Sequence, residues 1–382
     1  MPSSGRSVTI IQEQLPHYRA AFFSALRETL GQSGITLNLI YGKSRTARLI
    51  QSDLEWALAV PVRRLGPFLW HQLGKSCSMT DLIIAPQEMK FLTCHWLQLK
   101  SRFGGPKFAY WGHGRNFQAA DDNSPAERLK RFLSRHVDWW FAYNDLSAGI
   151  VRELGFPGDR ITSVGNAIDT RGLVSRKMAL TESELAALRD ELNLHSKNVA
   201  VYTGGLYAIK RIGFLLDAAV RIRELIPDFE LIVIGSGPDR ALVADAAAKY
   251  PWIHDVGPKN DAEKAPYWAL CKVLLMPGGV GLVILDSFAL GVPMVTTDTR
   301  LHGPEIDYLR NGENGLLIPC GDSFEIYARS IADLIHDSKS LERLRQGAVA
   351  SARFHTLEAM VEKYSAGILM ALEATKQPEK HA

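Results

Sequence analysis

With 382 residues the chain exceeds the ~250–300 at which a single hydrophobic core stops growing, so two domains are expected, and 46% apolar residues with 31 glycines suit an α/β protein. The net charge of +3 is uneven: residues 1–170 hold 20 Lys+Arg against 14 Asp+Glu, a balance of +6, and the remainder holds 24 against 27, or −3, an excess too small for a nucleic-acid footprint but suited to an anionic partner or membrane surface. No run of about 18 apolar residues offers a membrane span, the short polar start from Met1 to Arg6 carries no export signal, and the four scattered cysteines argue against a zinc site or a disulfide framework, which makes a reduced cytoplasm the natural home.

Ser7 to Gln12 alternates and is β-branched, which predicts the first strand, and Tyr18 to Leu30 has helical spacing. The loop between them holds His17, Tyr18 and Arg19; after the first strand of a parallel sheet it faces the ligand crevice, so all three are candidates for a polar ligand, with a plain helix start behind Pro16 as the alternative. Ile35–Tyr41, Ala57–Val62, Asp81–Ala85 and Pro106–Tyr110 read as further strands. The last runs into Trp111-Gly112-His113-Gly114-Arg115-Asn116, where a histidine between two glycines invites a site role, with Arg115 beside it and a simple turn as the competing reading. Helices over Phe91–Phe103 and Ser124–His136 mix basic and aromatic residues, as interfacial surfaces do, although a solvated face over core aromatics gives the same mixture. Val137–Phe141 reads as a strand, Asp145–Leu154 as a helix and Ile161–Val164 as a strand.

After Gly165-Asn166-Ala167-Ile168-Asp169 the composition changes, and Thr181-Glu182-Ser183-Glu184 is a capping box before an apolar helix. Strand and helix then alternate: Val199–Thr203 before Gly204 and Gly205, Phe229–Ile234 before Gly235-Ser236-Gly237-Pro238, Ile253–Val256 before Gly257-Pro258-Lys259, then Val273–Met276, Met294–Thr297 and Gly315–Ile318. Such alternation means βαβ units and a parallel sheet. Helices over Phe324–His336, Leu341–Ala352 and Leu357–Ala374 close the chain. The stretch Pro277-Gly278-Gly279-Val280-Gly281-Leu282 leads from a buried strand into an apolar helix carrying Asp286, a design in which main-chain N–H groups and the positive helix end hold an anion.

Taken together these pieces resemble the family 4 retaining glycosyltransferases, over most of residues 160–340 and more loosely before. Gly204-Gly205-Leu206 with Lys210 resembles that family's glycine-arginine-leucine turn and downstream lysine; Ile234 to Pro238 matches its glycine-rich turn; Gly281 to Pro293, Gly303-Pro304-Glu305-Ile306 and Asn311 to Gly315 follow in register. The resemblance implies the GT-B fold: two doubly wound Rossmann-like domains facing across a cleft, here 1–169 on the acceptor side and 170–355 for the nucleotide-sugar, with a helix and tail over 356–382 crossing back. There are two departures. The first of the family's paired glutamates falls on Gly278, the second is Asp286, and the phosphate-contacting arginine falls on Gly205.

By that resemblance His113, Lys210 and Asp286 are the expected catalytic residues, with Lys210 on the pyrophosphate, Asp286 on a ribose hydroxyl and His113 over the donor sugar. Gly204, Gly205, Gly235, Gly237, Lys259, Gly278, Gly279, Val280, Gly281 and Leu282 are expected to line the donor, and His17, Tyr18, Arg19 and Arg115 the acceptor side. No Asp-x-Asp motif is present, which agrees with the metal-independent chemistry implied, and no cofactor beyond the nucleotide-sugar substrate is expected. The expected activity is retaining transfer of a hexosyl or deoxyhexosyl group to a polysaccharide or lipid-linked glycan, in the cytoplasm or at the inner membrane face. Two alternatives stay open: an inactive homologue that binds nucleotide or a partner transferase, and a sugar-nucleotide epimerase.

Overall fold

The β-branched run near the N-terminus forms β1 (Ser7–Gln12), which the computed structural model, describing residues 5–43, 54–74, 77, 79–115 and 125–376, places in the middle of a sheet. The chain divides into two units, Met1–Asp169 with Leu357–Ala382, and Thr170–Thr356. In the first, β1 is followed by α1 (His17–Gln32), β2 (Thr36–Lys43), β3 (Leu58–Leu65), β4 (Phe68–His71), β5 (Leu82–Pro86), α2 (Leu92–Arg102), β6 (Lys107–Gly112), α3 (Pro125–Ser134), β7 (Trp139–Ala142), α4 (Asp145–Glu153) and β8 (Ile161–Ser163). Ser124, read as the start of the third helix, and Asn116 lie outside the described residues. The strand order is β4-β3-β2-β1-β5-β6-β7-β8, parallel except for β4 on β3. That hairpin, absent from the sequence reading, closes through Gly66-Pro67, a two-residue turn with Gly66 at φ 62°. Both faces of the inner strands are covered, so β5, and β6 from Phe108 on, are apolar throughout instead of alternating.

The second unit runs α5 (Arg171–Met178), α6 (Glu182–Leu192), β9 (Val199–Gly205), α7 (Ile212–Leu225), β10 (Glu230–Ser236), α8 (Arg240–Lys249), β11 (Ile253–Gly257), α9 (Asp261–Ala269), β12 (Val273–Met276), α10 (Val283–Leu290), β13 (Met294–Thr297), β14 (Gly315–Ile318), α11 (Phe324–His336) and α12 (Ser338–Ala352). Thr181 and Glu184 exchange the reciprocal capping-box bonds at the start of α6. Its six strands are all parallel, in the order β11-β10-β9-β12-β13-β14. The last helix, α13 (Leu357–Glu373), belongs to the first unit, where Tyr364 stacks on Phe141 with ring centroids 4.5 Å apart. The Lys107 ammonium caps its final turn through the carbonyls of Ala371, Leu372 and Ala374. Among the described residues no helix is long and apolar enough to cross a membrane.

Each sheet reverses its order of growth once, between β1 and β5 in the first unit and between β9 and β12 in the second. Loops diverge at such a reversal and leave a crevice at the carboxyl ends of the strands. In the second unit the two diverging loops are those that carry Lys210 and the stretch from Pro277 to Leu282.

Candidate functional site

Beyond β9 the chain makes a 3-10 turn, Ala208–Lys210, and Arg211 enters α7 in the left-handed conformation with φ 57°. This turn carries Lys210 inward: the side chain is buried, and its ammonium donates to the Gly279 carbonyl of the other loop. Burial pushes its pKa down to about 8, against an opposing pull from the Glu305 carboxylate. A partly desolvated ammonium attracts an arriving anion more strongly than a hydrated one.

The loop after β12 can be accounted for group by group. Gly279 N–H donates to the Ile209 carbonyl at 2.8 Å, while Val280 N–H donates to His302 Nδ1 at 3.1 Å and Val280 C=O accepts from Gly303 N–H at 2.9 Å. The expectation that the amides of Gly279 and Val280 hold the anion is therefore corrected, because both are spent inside the protein. The unpaired amides begin one residue later. Ile284 and Leu285 N–H turn back to Gly281 and Leu282, and among the described residues the N–H groups of Gly281, Leu282 and Val283 donate to no other group. They lead into the first turn of α10, with Leu282 as its N-cap, where the helix dipole adds positive potential.

Gly278 also departs from expectation. A β-carbon there would lie 2.6 Å from Lys210 Cα and closer still to the Ile209 carbonyl oxygen, so the position has no room for a side chain. The glycine does not open space: the β9 and β12 loops close over it. At Gly205, where the resemblance expects an arginine, a β-carbon would run into the Tyr207 ring. Gly235 and Gly237 face the Gly204 and Leu206 carbonyl oxygens and allow the ends of β9 and β10 to pack main chain on main chain.

Asp286 is buried on α10, and its Oδ2 accepts from Lys264 Nζ of α9 at 2.8 Å. Lys264 was not foreseen in the sequence; the partner of a buried helix carboxylate is set by how two helices pack, not by a local motif. Lys259 stands half-buried at the end of the edge strand β11, with its ammonium 5.5 Å from the Tyr267 ring centre. His302 and Glu305, quoted above only for register or not at all, prove to border Lys210 and the loop. The signal available was their place, directly after a strand of a parallel sheet.

In the first unit His17 is exposed and Tyr18 half-buried, both at the start of α1. Arg19 is a correction to the acceptor-side set. It is buried, its guanidinium donates to Asn166 Oδ1 and, at 3.2 Å, to the Ala167 carbonyl, and it lies 5.4 Å from the Trp111 ring centre. It latches α1 to the segment after β8, an internal role that leaves its fork engaged. His113 follows β6 in a turn fixed by Gln87, which bonds both main-chain groups of Gly114 at 3.1 and 3.2 Å. Gly114 adopts φ 80°, so glycine is required there. Burial, with Lys130 and Arg19 nearby, pushes the His113 pKa down to about 3, so the imidazole is neutral at physiological pH. Its ring lies 4.1 Å from that of Tyr143, and Arg115 is exposed two residues on.

Residues 197–337 match the family model described as Glycosyl transferases group 1. The chain is 26% identical over 339 residues to a putative glycosyltransferase, EpsD, of Bacillus subtilis, covering 81% of this chain and 84% of that protein. A phosphatidyl-myo-inositol mannosyltransferase of Mycobacterium leprae is 31% identical over 149 residues, 38% of this chain and 39% of the relative. Among solved structures, Anabaena HepE in complex with UDP superposes with a TM-score of 0.68 at 15% identity, over 95% of this chain and 99% of that one. Such neighbours define the architecture as GT-B.

Proposed function

We propose that this chain, a glycosyltransferase of the GT-B, group 1 type, moves a sugar from a nucleotide-sugar to a polysaccharide or lipid-linked glycan with retention of anomeric configuration. One observation carries the reading: at the switch point of the second unit the buried Lys210 ammonium stands beside a loop that leads into three unpaired amides of α10. As the bond from the anomeric carbon to the donor phosphate breaks, charge builds on the departing diphosphate. Fixed amides and a partly dehydrated cation stabilise that charge without having to reorganise. The acceptor hydroxyl attacks from the leaving-group side, its oxygen bonds to the anomeric carbon, and its proton passes to the released phosphate oxygen. Asp286, oriented by Lys264, accepts from a ribose hydroxyl, and neutral His113 offers a hydrogen bond to the donor sugar.

In this reading no divalent metal is needed, since cation and amides supply the counter-charge; turnover that survives a chelator is the expected result. Gly205 and Gly278, which replace an arginine and a glutamate, favour one second reading, an inactive nucleotide-binding homologue. A panel of UDP-, GDP- and dTDP-sugars assayed for transfer and slow hydrolysis tests both. Release of sugar from one donor is expected. Nucleotide binding with no turnover of any donor decides for the second reading, and an altered sugar-nucleotide identifies an epimerase.

A further inference from the structure

We propose that His302 is a positioning residue for the donor phosphates, setting the loop between β12 and α10 so that the amides of Gly281, Leu282 and Val283 meet the anion. The inference rests on the reading of that loop as the diphosphate cradle. His302 is buried in the segment that follows β13. Its Nδ1 lies 3.1 Å from Val280 N and its Nε2 lies 2.8 Å from the Thr297 carbonyl oxygen.

Those two contacts determine the tautomer. A carbonyl can only accept, so Nε2 carries the hydrogen; an amide can only donate, so Nδ1 is bare. The next residue completes the clamp, as Gly303 N–H donates to the Val280 carbonyl at 2.9 Å. On the other side Gly279 is held through its N–H by the Ile209 carbonyl and through its carbonyl by Lys210. All four main-chain polar groups of Gly279 and Val280 are thus committed, and the three amides that follow are left to the ligand. Without the histidine, Val280 N–H is buried without a partner, a state that the loop relieves by turning.

The same geometry makes the clamp sensitive to acid. A proton on Nδ1 faces the Val280 N–H, so the acceptor is lost and two donors oppose each other. The charged groups around the ring are Lys210, which disfavours that proton, and Asp298, which favours it, while Glu305 faces Lys210 from the Pro304–Tyr308 turn. Burial and Lys210 hold the imidazole neutral, with Asp298 and the Thr297 carbonyl pulling the other way.

The test is calorimetric titration with the sugar nucleotide, among the UDP, GDP and dTDP series, that binds most tightly; its doubly esterified diphosphate does not titrate between about pH 5 and 8. Wild type should lose affinity only toward the acid end of that range, where the imidazole, held below its ordinary value of 6.5, begins to take its second proton. His302→Asn, whose amide oxygen reproduces the Nδ1 acceptor but cannot be protonated, should bind nearly as well at neutral pH and show a flat profile. His302→Phe should bind about tenfold more weakly at every pH, raising KM with kcat little changed, and thermal unfolding establishes that each variant is folded. An acid limb that persists unchanged in His302→Asn, or full affinity in folded His302→Phe, overturns the proposal. The underlying reading is tested separately: if no sugar nucleotide binds wild type, or if Lys210→Ala binds as tightly as wild type, then the loop is not the cradle.

Discussion

At the scale of single residues, the site is built by removing options from the main chain. Gly278 shows this most clearly, since its neighbours leave no space for a β-carbon, whereas at Gly281 a β-carbon would meet nothing within 4 Å. Gly278→Ala should therefore destabilise the fold by about 2 kcal/mol or more and abolish nucleotide binding, as overpacking against main chain does. Gly281→Ala should keep the melting temperature and weaken nucleotide binding alone; equal melting temperatures for the two variants would contradict this account. Lys210 gives a second, pH-dependent expectation. Its folded pKa of about 8 lies below the ordinary lysine value of 10.5, so between these values the unfolded chain holds the proton better and stability rises with pH. A bound diphosphate reverses the preference and favours the ammonium, so nucleotide binding should take up a proton above about pH 8 and weaken as pH rises further. Titration at about pH 8.5 in two buffers of different ionisation enthalpy measures that uptake, and Lys210→Ala should remove it together with ~1.5–3 kcal/mol of binding energy.

At the scale of elements, the two units use their switch-point helices differently. In the second unit α10 presents open amides, while in the first α1 sends Arg19 back into the fold, where it holds Asn166 and Ala167. Arg19→Ala removes a buried charged donor and leaves a carbonyl and an amide oxygen without it. A loss of about 2–3 kcal/mol in urea unfolding is expected, whereas His17→Ala, at an exposed position on the same helix, should stay within about 0.5 kcal/mol. If Arg19→Ala instead kept full stability and lost only turnover, the acceptor-side assignment would be restored. Gln87 does for the His113 turn what His302 does for the loop after β12: one buried side chain satisfies main-chain groups that would otherwise be free to move.

At the scale of the whole molecule, the second unit contains Lys210, α10, Asp286 and His302 within 170–356, so that fragment should fold alone and bind nucleotide. A chain ended at 356 should lose the unfolding transition of the first unit, because it strips α13 from Phe22, Trp111 and Phe141, while the transition of the second unit persists in calorimetry. The first unit also carries the basic and aromatic surface read from the sequence: Phe103 is 80% and Phe132 58% exposed, beside Lys100, Arg102, Arg128 and Arg131. With each basic residue contributing ~1 kcal/mol near anionic lipid, co-sedimentation with phosphatidylserine vesicles should be strong at low salt and fall as salt rises. No binding at low salt would point to a soluble acceptor. The sequence by itself determined the α/β class and most strand and helix runs from Ser7 to Ala352, though not β4 or α5, because periodicity and glycine turns act locally. It also determined the glycosyltransferase resemblance, because an ordered set of turns after strands is visible without coordinates. Only the tertiary structure decided which amides of the loop stay open, that Gly278 is sealed by the Lys210 turn, that Arg19 is an internal latch, and that Lys264, His302 and Glu305 border the candidate site. Each of these depends on groups 22 to 148 residues apart meeting in the fold, and no local pattern encodes such a meeting.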